Sequence, residues 1–198
     1  MSAITDEAII LKTHKLGESD KILTILTANY GKIKAVARGS RKTTSSFGAK
    51  TANFSHIKLN IAKGKTLDIV TQIRILESHF DKISASFNKF ICANLICDFT
   101  DSLISELYIR QFSVFRLLKN ALLNIVNTTY EKIYVDIYLL QFLEMMGYKI
   151  SLKNYNDISD NLLVFYLNSD INKIILYSNK QRNKISRTIN EFISSLPL

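Results

Sequence analysis

Lys32, Lys34 and Arg38 recur at even spacing in Gly31-Lys-Ile-Lys-Ala-Val-Ala-Arg38, with Ile33, Ala35 and Ala37 between them. Side chains of a strand point alternately to its two faces, so this spacing puts cations on one side and small apolar residues on the other. Cations in a row do electrostatic chemistry: they neutralise phosphates. Gly39 breaks the strand, and Arg41 and Lys42 lead into a Thr/Ser loop closed by Phe47, Gly48 and Lys50. Between Asp20 and Asp68 there is no acidic residue, while ten Lys and Arg fall in that interval, Lys58, Lys63 and Lys65 among them. A field of one sign over one small β unit suits a polyanion. Phe47 fits two roles, a ring stacked on a base beside the cations or an anchor that tucks the loop onto the core.

Groups for bond chemistry are missing. His14, His56 and His79 have no carboxylate or thiol at ligand spacing and read as surface or strand-end residues. Gly64-Lys65-Thr66 imitates the end of a phosphate-binding loop, but Leu59 stands where the earlier glycine belongs and the flanks are β. Glu18 and Asp20 flank Ser19 in a turn, where capping accounts for them as well as catalysis would. Cys92 and Cys97, five apart in a helical stretch, suit neither a disulfide nor a metal pair, so reduced buried thiols are expected. Nothing here predicts an enzyme, a cofactor or a bound metal.

The elements that position the cations follow from periodicity. Alternating runs predict strands over Glu7–Leu16, Lys21–Thr27, Lys32–Arg38, His56–Ala62 and Thr66–Ile75, the last with Leu67, Ile69, Thr71 and Ile73 on one face. Five short strands in the first 78 residues, with a long connection before the fourth, predict a closed barrel of the OB type. From residue 79 the period becomes helical: Ile83, Phe87, Phe90, Ile91, Leu95 and Phe99 form one stripe, Phe112–Ile125 a second helix and Tyr130–Met146 a third, capped by Gly147. Leu162–Leu167 and Asn172–Tyr177 fit strands or helical turns, and Lys184–Leu196 a last helix ended by Pro197. The expected class is α+β, a barrel over 1–78 packed on a helical domain over 79–198.

The 198 residues carry 26 Lys and Arg against 17 Asp and Glu, a net charge of +9. Residues 1–80 hold 13 of those cations against 6 acids, and the remainder 13 against 11, so the charge belongs to the barrel. The N-terminus lacks the pattern of a secretory signal, and no stretch has the length of a membrane span.

Ala8-Ile-Ile-Leu-Lys12, Gly17-Glu-Ser-Asp20, the strand ending Leu26-Thr27, Tyr30-Gly-Lys-Ile-Lys34, Val36-Ala-Arg-Gly-Ser-Arg41-Lys42 and Phe54 resemble the N-terminal domain of the bacterial recombination mediator RecO family. Gln141-Phe-Leu-Glu-Met-Met-Gly147-Tyr148 is similar to that family's helix ending in Leu-Gly-Tyr. The resemblance implies an OB-fold followed by a helical domain that binds single- and double-stranded DNA and anneals complementary strands. It further implies work with RecR and the C-terminal tail of single-strand-binding protein to load recombinase, in a cytoplasmic, nucleoid-associated setting. On this reading Lys32, Lys34, Arg38, Arg41 and Lys42 contact phosphates, with Phe47, Lys50, Lys63 and Lys65 extending the DNA-binding surface. Many members carry four zinc-ligand cysteines after the Gly-Tyr segment; residues 149–198 contain none, so no zinc is expected, and the helical part looks shortened. The alternatives are an RNA-binding OB protein and a protein–protein scaffold with a basic docking face.

Overall fold

A computed structural model describes residues 3–104, 111–148 and 160–196. The chain forms two compact units, Met1–Thr128 and Thr129–Leu198.

The first unit is built on a closed five-stranded barrel. Its strands are β1 (Ala3–Leu16), β2 (Asp20–Thr27), β3 (Gly31–Ala37), β4 (His56–Ala62) and β5 (Asp68–Glu77), ordered β1-β2-β3-β5-β4. β3 pairs with β5 in parallel through Ala35 and Val36, and every other pairing is antiparallel. This is the OB-fold that the strand spacing predicts, followed by a helical region. Ala8, Ile10, Leu23, Ile25, Ala35, Ala37, Ile57, Leu59 and Ile61 fill the barrel, as alternation requires.

Within β1 the run Ala8–Leu11 is apolar without a break because it is buried on both faces. Ala8 and Ile10 point into the barrel, while Ile9 and Leu11 are buried outside that inner cluster, where helix α2 (Phe87–Leu103) packs on the strand. A β-bulge at Leu11 sits in the same stretch. The preceding helix α1 (Phe80–Ser84) and the following α3 (Gln111–Asn127) complete the layer. Phe54, fully buried with φ +65°, docks its backbone on Ile10 and meets Phe90 edge-on at 6.0 Å between ring centres.

Two expectations about faces need correction. A bulge between Asn60 and Ile61 leaves Thr71 out of register, so Val70 and Ile73 face the core and Thr71 is exposed. In α2 the inward stripe is Cys92, Ala93, Ile96, Cys97 and Phe99, whereas Phe87, Phe90, Ile91 and Leu95 are exposed. The small residues lie inward because the helix sits close against β1. One helix expected from Phe80 onward is two, since Ser86 leaves helical geometry and accepts the amide of Lys89 as an N-cap.

In the second unit, α4 (Glu131–Met145), α5 (Asp160–Leu167), α6 (Ile171–Ile174) and α7 (Asn179–Ser194) enclose Tyr138, Phe142, Leu143, Leu162, Tyr166, Ile185 and Ile189. The two ambiguous apolar runs are helical. Gly147, at φ +90°, ends α4: its amide bonds to Glu144 O at 3.0 Å and that of Tyr148 to Leu143 O at 2.9 Å. Both bonds belong to a Schellman cap, which favours glycine at this residue. α7 begins five residues before the predicted Lys184, at a capping box between Ser178 and Gln181. Pro197 lies outside the described residues. No described helix is long and apolar enough to cross a membrane.

Candidate nucleic-acid interface

The barrel spreads the predicted cations over three places. The first is a knot joining the β1–β2 turn to the end of β3. Asp20 Oδ1 accepts the amide of Gly39 at 2.8 Å and the hydroxyl of Ser19 at 3.0 Å. Arg41 donates its amide to Ser19 O at 2.9 Å and its guanidinium to Gly17 O at 2.7 Å. Asp20 therefore has the capping role its sequence context suggests. The Gly39 amide, then Ser19, with Arg38 and Lys42 nearby, hold its carboxyl below the usual range. Arg38, Arg41 and Lys42 are all exposed around it, and Gly39 turns the chain there at φ +64°.

The second place is a cleft of about 470 Å³ at one end of the barrel, lined by Tyr30, Lys32, Lys34, Lys63, Thr66 and Asp68 among others. Lys34 projects freely, and Tyr30 is 50% exposed. The β4–β5 turn supplies Lys63, which pairs with Asp68 at 3.2 Å yet stays largely exposed, and places Lys65 at its exposed tip. Gly64 is required in that turn, because a Cβ there would lie 1.8 Å from Leu67 O. The face of β3 and the β4–β5 loop are where OB-folds take oligonucleotides.

Lys32 behaves differently from its neighbours. Its ammonium lies 3.1 Å from Asp101 Oδ1 on α2, and Lys12 reaches Asp101 at 3.2 Å and Asp98 at 3.0 Å. Burial works against charge on Asp101, but hydrogen bonds from Lys32 and Lys12 outweigh it and keep the carboxyl below its usual range. The bond to Asp98 leads the causes that raise the Lys12 pKa. These contacts fasten α2 to β1 and β3.

The third place is a cleft of about 400 Å³ on the outer face of the β4–β5 hairpin, lined by Phe47, Lys50, Lys58, Asn60, Gln72 and Arg74 among others. Phe47 packs partly on the barrel core, so it anchors its loop while also contributing to the wall of this cleft. Charge spacing overlooks Arg74, which follows Asp68 and so falls beyond the acid-free interval. The signal that finds it is pairing: Arg74 stands directly opposite Lys58. Tyr30 is hidden in a similar way, because its sequence context is that of a turn.

His56 begins β4, a strand end as expected, whereas His79 stands at the N-terminus of α1, and both are buried rather than at the surface. His56 Nε2 lies 2.9 Å from Glu7, and its ring stands 5.8 Å from that of Phe115. Burial lowers the His79 pKa, partly opposed by Glu77. Among the described residues no three His, Cys, Asp or Glu side chains are grouped to hold a metal.

The family models "Recombination protein O N terminal" and "Recombination protein O C terminal" match residues 1–79 and 84–158. The chain is 36% identical over 149 residues to the DNA repair protein RecO of Bifidobacterium adolescentis, covering 75% of this chain and 61% of that protein. The same-named protein of a Nocardioides species is 36% identical over 150 residues, covering 75% and 62%. That of Cutibacterium acnes is 34% identical over 153 residues, again covering 75% and 62%. The chain thus spans about three fifths of the length of these curated relatives. Barrel, helical region and both family models agree, and the chain belongs to the recombination protein O family.

Proposed function

We propose that this protein is a non-enzymatic DNA-binding recombination mediator. Its barrel holds single-stranded DNA and brings complementary strands together. With RecR, it helps load recombinase on strands coated by single-strand-binding protein, engaging that protein's C-terminal tail. The observation that carries the reading is the set of exposed cations on the OB barrel, Lys34, Lys63 and Lys65 at the barrel-end cleft and its turn, and Arg38, Arg41 and Lys42 just beyond the end of β3. The curated relatives, named DNA repair proteins, point the same way.

Annealing needs no covalent step. Two phosphate backbones repel, and a protein that neutralises both releases their counterions and lowers the barrier to pairing. Lys32 is excluded from the phosphate set, since Asp101 already neutralises it. Tyr30, half exposed beside Lys34, supplies a ring on which a base can stack. The test is annealing of a labelled strand with its complement coated by single-strand-binding protein. Acceleration over the protein-free rate is expected; binding without acceleration would reduce the protein to a plain DNA-binding module.

A further inference from the structure

We propose that the outer face of the β4–β5 hairpin is a second strand-binding groove, so that one barrel holds two single strands at once. This rests on the DNA-binding reading above and adds a site to it. The hairpin-face cleft and the cleft at the barrel end share no lining residue. They are separate surfaces, each with its own cations.

The chemistry of the hairpin face suits a nucleic-acid strand. Lys58 and Arg74 are directly opposed on adjacent antiparallel strands, an arrangement that costs stability when the charges are alike. Glu7 faces Lys58 from β1, but its carboxylate is turned to His56 at 2.9 Å. Lys50 adds a third cation from the loop, and no described residue lining the cleft is acidic. An anionic backbone laid along this ladder relieves the repulsion. Next to the cations, Asn60 and Gln72 are also cross-strand partners, and Asn60 Nδ2 donates to Gln72 Oε1 at 2.9 Å. That bond leaves the Asn60 carbonyl and the Gln72 amide group for base edges, since each amide carries two donor hydrogens and an acceptor. Phe47 provides an apolar wall. Cations for phosphate, amides for base edges and an aromatic wall together recognise nucleotides rather than a bare acidic surface.

Two grooves on one barrel give annealing a physical route, because each strand is neutralised separately while both are held near each other. The test counts strands per protomer. Full-length protein, with its protomer number fixed by sedimentation, is saturated at low salt with labelled single strands of about eight nucleotides, within the range one OB-fold covers. Two non-complementary strands carrying a donor and an acceptor dye report on simultaneous binding. Two strands per protomer and energy transfer between them are expected. Lys58→Glu with Arg74→Glu should bind one strand and lose transfer, and so should Lys34→Glu with Lys63→Glu, each with unchanged circular dichroism. Saturation of the unmodified protein at one strand, or two strands retained by the Lys58/Arg74 variant, would overturn the second groove while leaving DNA binding intact. No binding at all would overturn the proposed function, and this groove with it.

Discussion

Lys32 and Lys34 stand two residues apart on β3, yet their ammonium groups meet different surroundings. Lys34 is in solvent at the cleft, while Lys32 is held by Asp101, 69 residues further along the chain. Replacing Lys34 by Ala should lower the log–log salt slope for a single strand by roughly 0.7, the loss of one phosphate contact. Lys32→Ala should leave the slope unchanged and lower the melting temperature, because it strips Asp101 of a partner. Asp101→Asn should do the reverse to affinity: with Lys12 and Lys32 released, strand binding tightens and the slope steepens. The pH dependence of this contact has a definite sign. Asp101 titrates below its ordinary value, so its contribution is present above the usual carboxylate range and is lost as pH falls through the lowered value. Thermal melts of the parent and Asp101→Asn between neutral and acid pH should therefore converge at the acid end. The cations themselves are legible from spacing and from the acid-free interval. The commitment of Lys32 is not, because its partner belongs to a helix far along the chain.

At the scale of elements, periodicity locates the barrel strands and most helices, and fails where the backbone departs from regular geometry. One extra residue at the β4–β5 bulge reverses the face of everything before it, and no composition signal marks Thr71 as that residue. In α2, bulky Phe87, Ile91 and Leu95 suggest the inward stripe, but close packing on β1 selects Cys92, Ala93 and Ile96 instead. The Phe-rich pattern carries no information about how near the barrel lies. Turn residues are more reliable: Gly39 and Gly147 both adopt positive φ where they end an element. The hairpin carrying Lys63 and Lys65 depends on Gly64 in a sharper way. A methyl group there collides with backbone, so Gly64→Ala should cost about 1–3 kcal/mol, the range for forced overpacking. Denaturant unfolding would show it as a lower midpoint with an unchanged slope.

Across the whole molecule, charge is unequally divided. The barrel half carries most of the net positive charge, and among the described residues each unit buries one acid, Asp6 in the first and Asp136 in the second. Asp136, 8% exposed on α4, accepts the Ser186 hydroxyl of α7, and burial pushes its pKa up to about 7 despite that bond. Its folded value is thus above its unfolded one, so folding favours the protonated carboxyl and stability declines as pH rises from about 4 to 7. Above that window the loss amounts to a few kcal/mol, on the order of 1 kcal/mol for each tenfold change in proton affinity. Asp136→Asn should flatten this pH profile and raise the denaturation midpoint at pH above 7, as urea titrations across that window would show. Nothing in the alternation or helical period singles out Asp136, a charged residue inside an otherwise apolar run.

The central claim is that exposed cations on the OB barrel bind a DNA backbone. Its most direct test is the salt dependence of single-strand affinity, measured by fluorescence anisotropy on the parent and on a Lys34→Ala, Arg38→Ala, Lys63→Ala variant. The expected result is a steep slope for the parent and one shallower by about 2 for the variant, at roughly 0.7 per lost phosphate contact, with the fold retained. Equal slopes and equal affinities would contradict it.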